Sequence, residues 1–179
     1  MVNDGLPVWE GYIEYGGYSS NIWYGIPSIE HPLFKTLVDR INSEVKYLEE
    51  FELYVIGGAL EEWVSWDIDF GLIGEYQPHK IKSIFEKITE IGFGMGIYTD
   101  LHYQKKLWRI DEYSLDNDIS EEVEAWHLSD SFTKNDHTEV YNNHTPMDGL
   151  YKTTIKYPFE KHIERIKEGY KYKSPIKIN

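Results

Sequence analysis

Residues 55–73 constrain this chain more than any other stretch. The apolar pair Val55-Ile56 runs into Gly57-Gly58, a short polar turn follows, and a second apolar run, Trp66 to Ile73, carries Asp67 and Asp69 two positions apart. Side chains alternate faces along a strand, so residues two apart share one. Asp67 and Asp69 therefore point together, while Ile68 and Phe70 face a core. Two carboxylates on one face attract a hard divalent cation such as Mg²⁺, which prefers oxygen ligands. Paired glycines let backbone N–H groups come close to a negative ligand. Metal carboxylates beside such a cradle point to chemistry on a nucleoside triphosphate.

Periodicity supplies the elements around this stretch. Residues 8–28 are dense in aromatics and glycines (Trp9, Tyr12, Tyr15, Tyr18, Trp23 and Tyr24 with Gly11, Gly16, Gly17 and Gly25) and read as short strands and turns. His31-Pro32 opens a helix, with proline near the first helical position, and Phe34, Leu37, Val38, Ile41, Val45 and Leu48 recur at helical spacing. A strand is expected over Leu53–Ile56, a helical turn over Ala59–Val64 and a second strand from Trp66 to Ile73. Pro78 starts another helix, with Ile81, Ile84, Phe85, Ile88 and Ile91 on one face and Gly92 as its stop. A third strand near Ile97–Tyr103 carries Asp100. Beyond Gln104, strands are expected at Trp108–Ile110, Ala125–Leu128 and Leu150–Tyr157, loops at 111–122 and 133–149, and a short helix around Phe159, Ile163 and Ile166 that ends at Gly169.

The order Gly57-Gly58, Asp67-x-Asp69, then Asp100 on a later strand resembles the nucleotidyltransferase superfamily, with its polymerase-β-like domain. The resemblance covers roughly residues 50–105. It implies an α+β fold: a mixed β-sheet flanked by helices, core about 30–110, with a small β-rich extension over 111–179, all in one domain, 1–179. It also implies transfer of a nucleoside monophosphate from a nucleoside triphosphate such as ATP to a hydroxyl acceptor. Asp67, Asp69 and Asp100 would be the catalytic residues and the ligands of Mg²⁺ or Mn²⁺, and Gly57, Gly58 and Ser65 would bind the nucleotide. The chain departs from the family at Trp66, where many members place serine directly before the first aspartate. It departs again at Glu61 and Glu62, where many place arginine or lysine. Each residue also has a plainer reading. Asp67 and Asp69 would cap a surface strand, Asp100 would bond a turn, Gly57-Gly58 would be only a tight turn, and Ser65 would satisfy that turn. Glu61 and Glu62 are expected to face solvent, and His102, which shares the face of Asp100, is expected to be a structural histidine.

Composition and charge narrow the classes. A chain of 179 residues, 41% hydrophobic, has room for a real core. No apolar run reaches the roughly 20 residues needed to span a bilayer. No basic segment opens the chain, so no signal peptide is expected and a cytoplasmic location is the default. The absence of cysteine excludes disulfides and thiolate-bound zinc. Only Ala59 and Ala125 are alanines, a bias expected of an AT-rich bacterial or viral genome. The net charge of −13 disfavours broad nucleic-acid binding. Residues 150–179 run against that charge, with eight Lys or Arg and three Glu. Such a run either folds back to supply cations to a triphosphate or acceptor, or forms a solvated face paired with the acidic body; the second reading is the commoner one. Gly-x-Ser-x-Gly, Walker-type Gly-Lys-Ser/Thr, Rossmann glycine and His-Glu-x-x-His patterns are all missing. Three classes stand: an active nucleotidyltransferase acting on a small molecule, an RNA end or a protein hydroxyl; a binding protein that keeps that fold without catalysis; and an Asp-x-Asp sugar transferase.

Overall fold

The computed structural model of the protein describes residues 5–26, 28–114, 121–129 and 145–179. The fold is α+β: among these residues lie a two-stranded sheet, a seven-stranded mixed sheet and four helices.

The first sheet is a hairpin of β1 (Val8–Tyr15) and β2 (Tyr18–Tyr24), closed by Gly16-Gly17 with φ of +58° and +83°. Positive φ at both turn positions matches the right-handed twist of the strands, and glycine supplies it without strain. The aromatic segment packs inward: Trp23 is fully buried, meets Phe93 edge-on at 4.6 Å between centroids, and donates its indole N–H to the Gly11 carbonyl at 3.0 Å. Tyr15 is buried too, against Tyr98. Tyr12 stays exposed.

The larger sheet is built on the expected order. Helix α1 (Pro32–Glu44) is capped by the His31 side chain, whose Nδ1 accepts from the Leu33 N–H. It ends earlier than the apolar stripe implied, with Leu48 in a separate 3₁₀ turn, Leu48–Glu50. Strand β3 (Glu52–Ile56) leads into a single helical turn, α2 (Gly57–Leu60), which begins at the glycines rather than at Ala59. Strand β4 (Asp67–Ile73) pairs antiparallel with β3. Helix α3 (Pro78–Met95) crosses over to β5 (Tyr98–Gln104), which lies parallel to β4. Helix α3 runs through Gly92, the expected stop, and ends at Gly96, whose φ is +72° and whose N–H bonds the Gly92 and Phe93 carbonyls. Gly92 is in the helix for packing: a Cβ there would sit 2.7 Å from the Ile97 carbonyl oxygen.

The region expected as an extension completes this same sheet. Strands β6 (Glu121–His127), β7 (Thr145–Met147), β8 (Leu150–Tyr157) and β9 (Ile176–Lys177) give the order β7-β8-β6-β5-β4-β3-β9. The last short helix, α4 (Glu160–Lys167), falls where expected. Trp108–Ile110 is not a strand. The Trp108 N–H is taken by Gln104 Oε1 at 3.2 Å instead of a ladder, and Ile110–Glu112 makes a 3₁₀ turn. Of the expected loops, residues 121–122 belong to β6 and 145–147 to β7, while 115–120 and 130–144 lie outside the described residues.

The core sits between one face of the sheet and helices α1 and α3. Leu37, Ile41, Ile81, Ile84, Phe85 and Ile88 meet Leu53, Val55, Ile68, Phe70, Leu72 and Leu101, all essentially sealed from solvent. That burial fixes the register of β4 and β5, because a one-residue slip would exchange the faces. It leaves Asp67, Asp69, Asp100, His102 and Gln104 on the opposite face, which α4 and residues 170–175 overlie. Among the described residues no helix is long and apolar enough to cross a membrane.

Candidate metal centre and its pocket

The parallel pairing of β4 with β5 sets Asp69 directly across from Asp100, with Asp67 two residues along on the same face. One carboxylate oxygen from each of Asp67, Asp69 and Asp100 lies within 4.8 Å of the others. Adjacent strands are about 4.8 Å apart, so three acids on one face of two neighbouring strands converge once the register is set. Asp67 and Asp69 are partly buried; Asp100 is 5% exposed, and its Oδ1 has no hydrogen-bond partner among the described residues.

Neighbours orient the pair on β4. The Ser65 hydroxyl donates to Asp67 Oδ1 at 2.7 Å. Ser65 is itself fixed by a bridge to Ile26, its carbonyl accepting the Ile26 N–H at 2.9 Å. The Gly58 N–H hydrogen-bonds the Asp69 carboxylate. Gly57 has φ of +72°, and a Cβ built on it would stand 1.8 Å from Asp69 Oδ2. The glycine turn is thus pressed against the second aspartate, and only a residue without a side chain fits. Gly57, Gly58 and Ser65 all line the same pocket as the three acids, with the Ser65 hydroxyl and the Gly58 N–H directed to the carboxylates.

The electrostatics follow from that crowding. Burial raises the Asp69 carboxyl well above its ordinary range and the Asp67 charge raises it further, while the Gly58 N–H and the Lys161 charge act to lower it. Asp100 is raised in the same way, by burial first and then by Asp69 and Asp67. Three acids in this arrangement repel one another unless a cation lies among them. The donor set, all hard oxygen with one buried oxygen unsatisfied, fits Mg²⁺ or Mn²⁺. His102, two residues along β5 from Asp100, is pushed down to about 4 by burial, so its imidazole is neutral at physiological pH. Its ring lies 5.9 Å from that of His127.

The pocket above the acids has a volume of about 400 Å³, within the range of small-molecule sites. Trp108, Ile155 and Tyr157, from a second small core cluster, line one part of it, and Trp63, Lys161, Arg165 and Lys173 another. Glu61 corrects the solvent-facing expectation. It is 9% exposed, and its carboxylate accepts from the Tyr170 hydroxyl at 2.7 Å and the Lys173 N–H at 2.8 Å. Its neighbour Glu62 does face solvent, in a loose pair with Lys173. In the basic run over 150–179, Lys152, Lys173 and Lys177 pair with Glu124, Glu62 and Glu52, as a solvated face paired with the acidic body would, while Lys161, Arg165 and Lys173 also border the pocket. Sequence reasoning singled out none of Lys161, Arg165, Lys173 or Glu61 for the site. The signal that was present is the i, i+4 spacing of Lys161 and Arg165, which places both on one side of a short helix.

No family model, no curated protein and no solved structure matches this chain. Its function therefore has to be argued from the site.

Proposed function

We propose that the protein is a metal-dependent nucleotidyltransferase that moves a nucleoside monophosphate from a nucleoside triphosphate to a hydroxyl acceptor. The convergence of Asp67, Asp69 and Asp100 within 4.8 Å, on the floor of a nucleotide-sized pocket, carries this reading. These three residues would hold Mg²⁺ or Mn²⁺, which would supply stabilisation of the charge on the entering and leaving oxygens of an in-line displacement at phosphorus. Asp67 and Asp69, on the exposed side of the cluster, orient the triphosphate. Asp100, across from Asp69, accepts the proton of the attacking hydroxyl. The acceptor oxygen bonds the α-phosphorus, the bond to the β-phosphate oxygen breaks, and pyrophosphate leaves. Ser65 and Gly58 hold the Asp67 and Asp69 carboxylates in place throughout, and Gly57 lets the turn come that close.

The test is a titration with ATP, GTP, CTP and UTP, with Mg²⁺, Mn²⁺ or chelator, on the native protein and on Asp67→Asn and Asp69→Asn. Metal-dependent binding of at least one triphosphate, lost in both variants, is the expected result. Binding that survives both substitutions overturns the assignment. No binding of any triphosphate under either metal points instead to a binding protein without catalysis, and turnover of a nucleotide sugar points to a sugar transferase.

A further inference from the structure

We propose that Lys161 and Arg165 form the wall of the pocket that binds the polyphosphate, facing the aspartates on its floor. The inference deepens the nucleotidyl-transfer reading and rests on it for the role of the acids. Lys161 and Arg165 stand one helical turn apart on α4, both border the pocket, and Lys173 borders it from the segment that follows. Lys161 lines the same pocket as Asp67, Asp69 and Asp100, on the helix that overlies them. Arg165 is held in position, its guanidinium over the Trp63 ring at 4.5 Å and an N–H toward the Tyr172 hydroxyl at 3.5 Å.

The wall is built into the fold. Tyr170 and the Lys173 N–H are tied to Glu61. Ser174 donates to Asp111 at 2.7 Å and accepts from Arg109 at 3.1 Å. Strand β9 then pairs with β3, and Asn179 bonds the Leu53 N–H and the Leu48 and Phe51 carbonyls. This pinning explains the acid at 61, where a basic residue was expected, while Glu62 pairs with the Lys173 ammonium at 3.2 Å. Glu61 serves as the anchor for the segment that follows the two cations. Such cations are needed because the three floor carboxylates and a triphosphate together carry more negative charge than two divalent ions neutralise, and the chain as a whole has a net charge of −13.

Inorganic tripolyphosphate is the probe, since it has no base and no sugar. It is titrated calorimetrically, in chelator and at low salt, into the full chain carrying Asp67→Asn and Asp69→Asn, which lowers the repulsion from the floor. Binding is expected there. Adding Lys161→Gln, at an exposed position, should weaken it about tenfold or more, Lys161→Arg should retain it, and Lys35→Gln on the far helix α1 should leave it unchanged. Absence of binding, or equal losses from Lys35→Gln and Lys161→Gln, overturns the proposal. Metal plays no part in this measurement. A parallel Mn²⁺ titration of the native protein against Asp67→Asn tests the metal reading alone, so the two can fail separately.

Discussion

Replacing Gly57 with alanine puts the closest contact at the site under direct strain. Two costs add. The residue has φ of +72°, and a left-handed conformation costs a non-glycine residue about 1–2 kcal/mol. The new Cβ would also stand 1.8 Å from Asp69 Oδ2 and 2.7 Å from its Cγ, so either the turn or the carboxylate must move, an overpacking cost of about 1–3 kcal/mol. The sum is about 2–5 kcal/mol, or a melting temperature lower by roughly 4–20 °C at about 2–4 °C per kcal/mol for a chain of this size. Gly17→Ala isolates the first cost, because φ there is +83° and nothing lies within 4 Å of its Cβ; it should lose about 1–2 kcal/mol only. Urea denaturation of both variants measures the difference. Calorimetry should also show Mn²⁺ binding about tenfold weaker in Gly57→Ala, equivalent to about 1.4 kcal/mol, with no change in Gly17→Ala. In an Asp69→Ala background the extra cost at Gly57 should shrink, since the carboxylate that obstructs it is gone. If Gly57→Ala costs no more than Gly17→Ala, or if its extra cost persists undiminished without the carboxylate, the close approach of turn and acid is refuted.

Two further outcomes are expected. Gly92→Ala should destabilise the protein by about 1–3 kcal/mol, because its Cβ would meet the Ile97 carbonyl oxygen at 2.7 Å, whereas Gly94→Ala in the same helix has nothing within 4 Å and should stabilise by about 0.5–1 kcal/mol; thermal melts of the two variants check the contrast. Burial acts to raise the Asp111 carboxyl, but hydrogen bonds from Arg109 and Ser174 outweigh it and hold the group below its ordinary 3.8. A depressed carboxylate contributes stability above its ordinary value that is lost as the pH falls through the folded value. Asp111→Asn should therefore be less stable than the native protein at neutral pH, with the gap closing below pH 3.8, as read by urea titrations across that range, and the amides of residues 174 and 176–178 should exchange faster.

Much of the fold was legible because local chemistry and burial agree there. The stripes Phe34-Leu37-Ile41 and Ile81-Ile84-Phe85-Ile88 mark helices at the expected places, and the alternation of Asp67-Ile68-Asp69-Phe70 correctly separates the carboxylate face from the core. The misreadings have a shared cause, which is that a residue's local preference yielded to a distant partner. Gly92 looks like a helix stop but is small because Ile97 and Thr99 press on it. Trp108 looks like a strand residue but its N–H goes to Gln104. Glu61 looks like a surface acid but is enclosed by Tyr170 and Lys173 from more than a hundred positions along the chain.

By itself the sequence determined which residues share a face: the two-residue period of a strand puts Asp67 with Asp69 and Asp100 with His102, whatever lies around them. It also determined the order helix, strand, glycine turn, strand, helix, strand, because each element announces itself through its own apolar period and its own glycines and prolines. Convergence was a different matter. That β4 and β5 lie side by side, parallel and in the register that sets Asp69 against Asp100, depends on α3 crossing between them and on the burial of both core faces. The cationic side of the pocket depends still more on tertiary structure, since the segment after α4 is held where Tyr170 and the Lys173 N–H bond Glu61 and Ile176–Lys177 pair with β3. Contacts between residues distant in the chain leave no period in the sequence, and the site is made of such contacts.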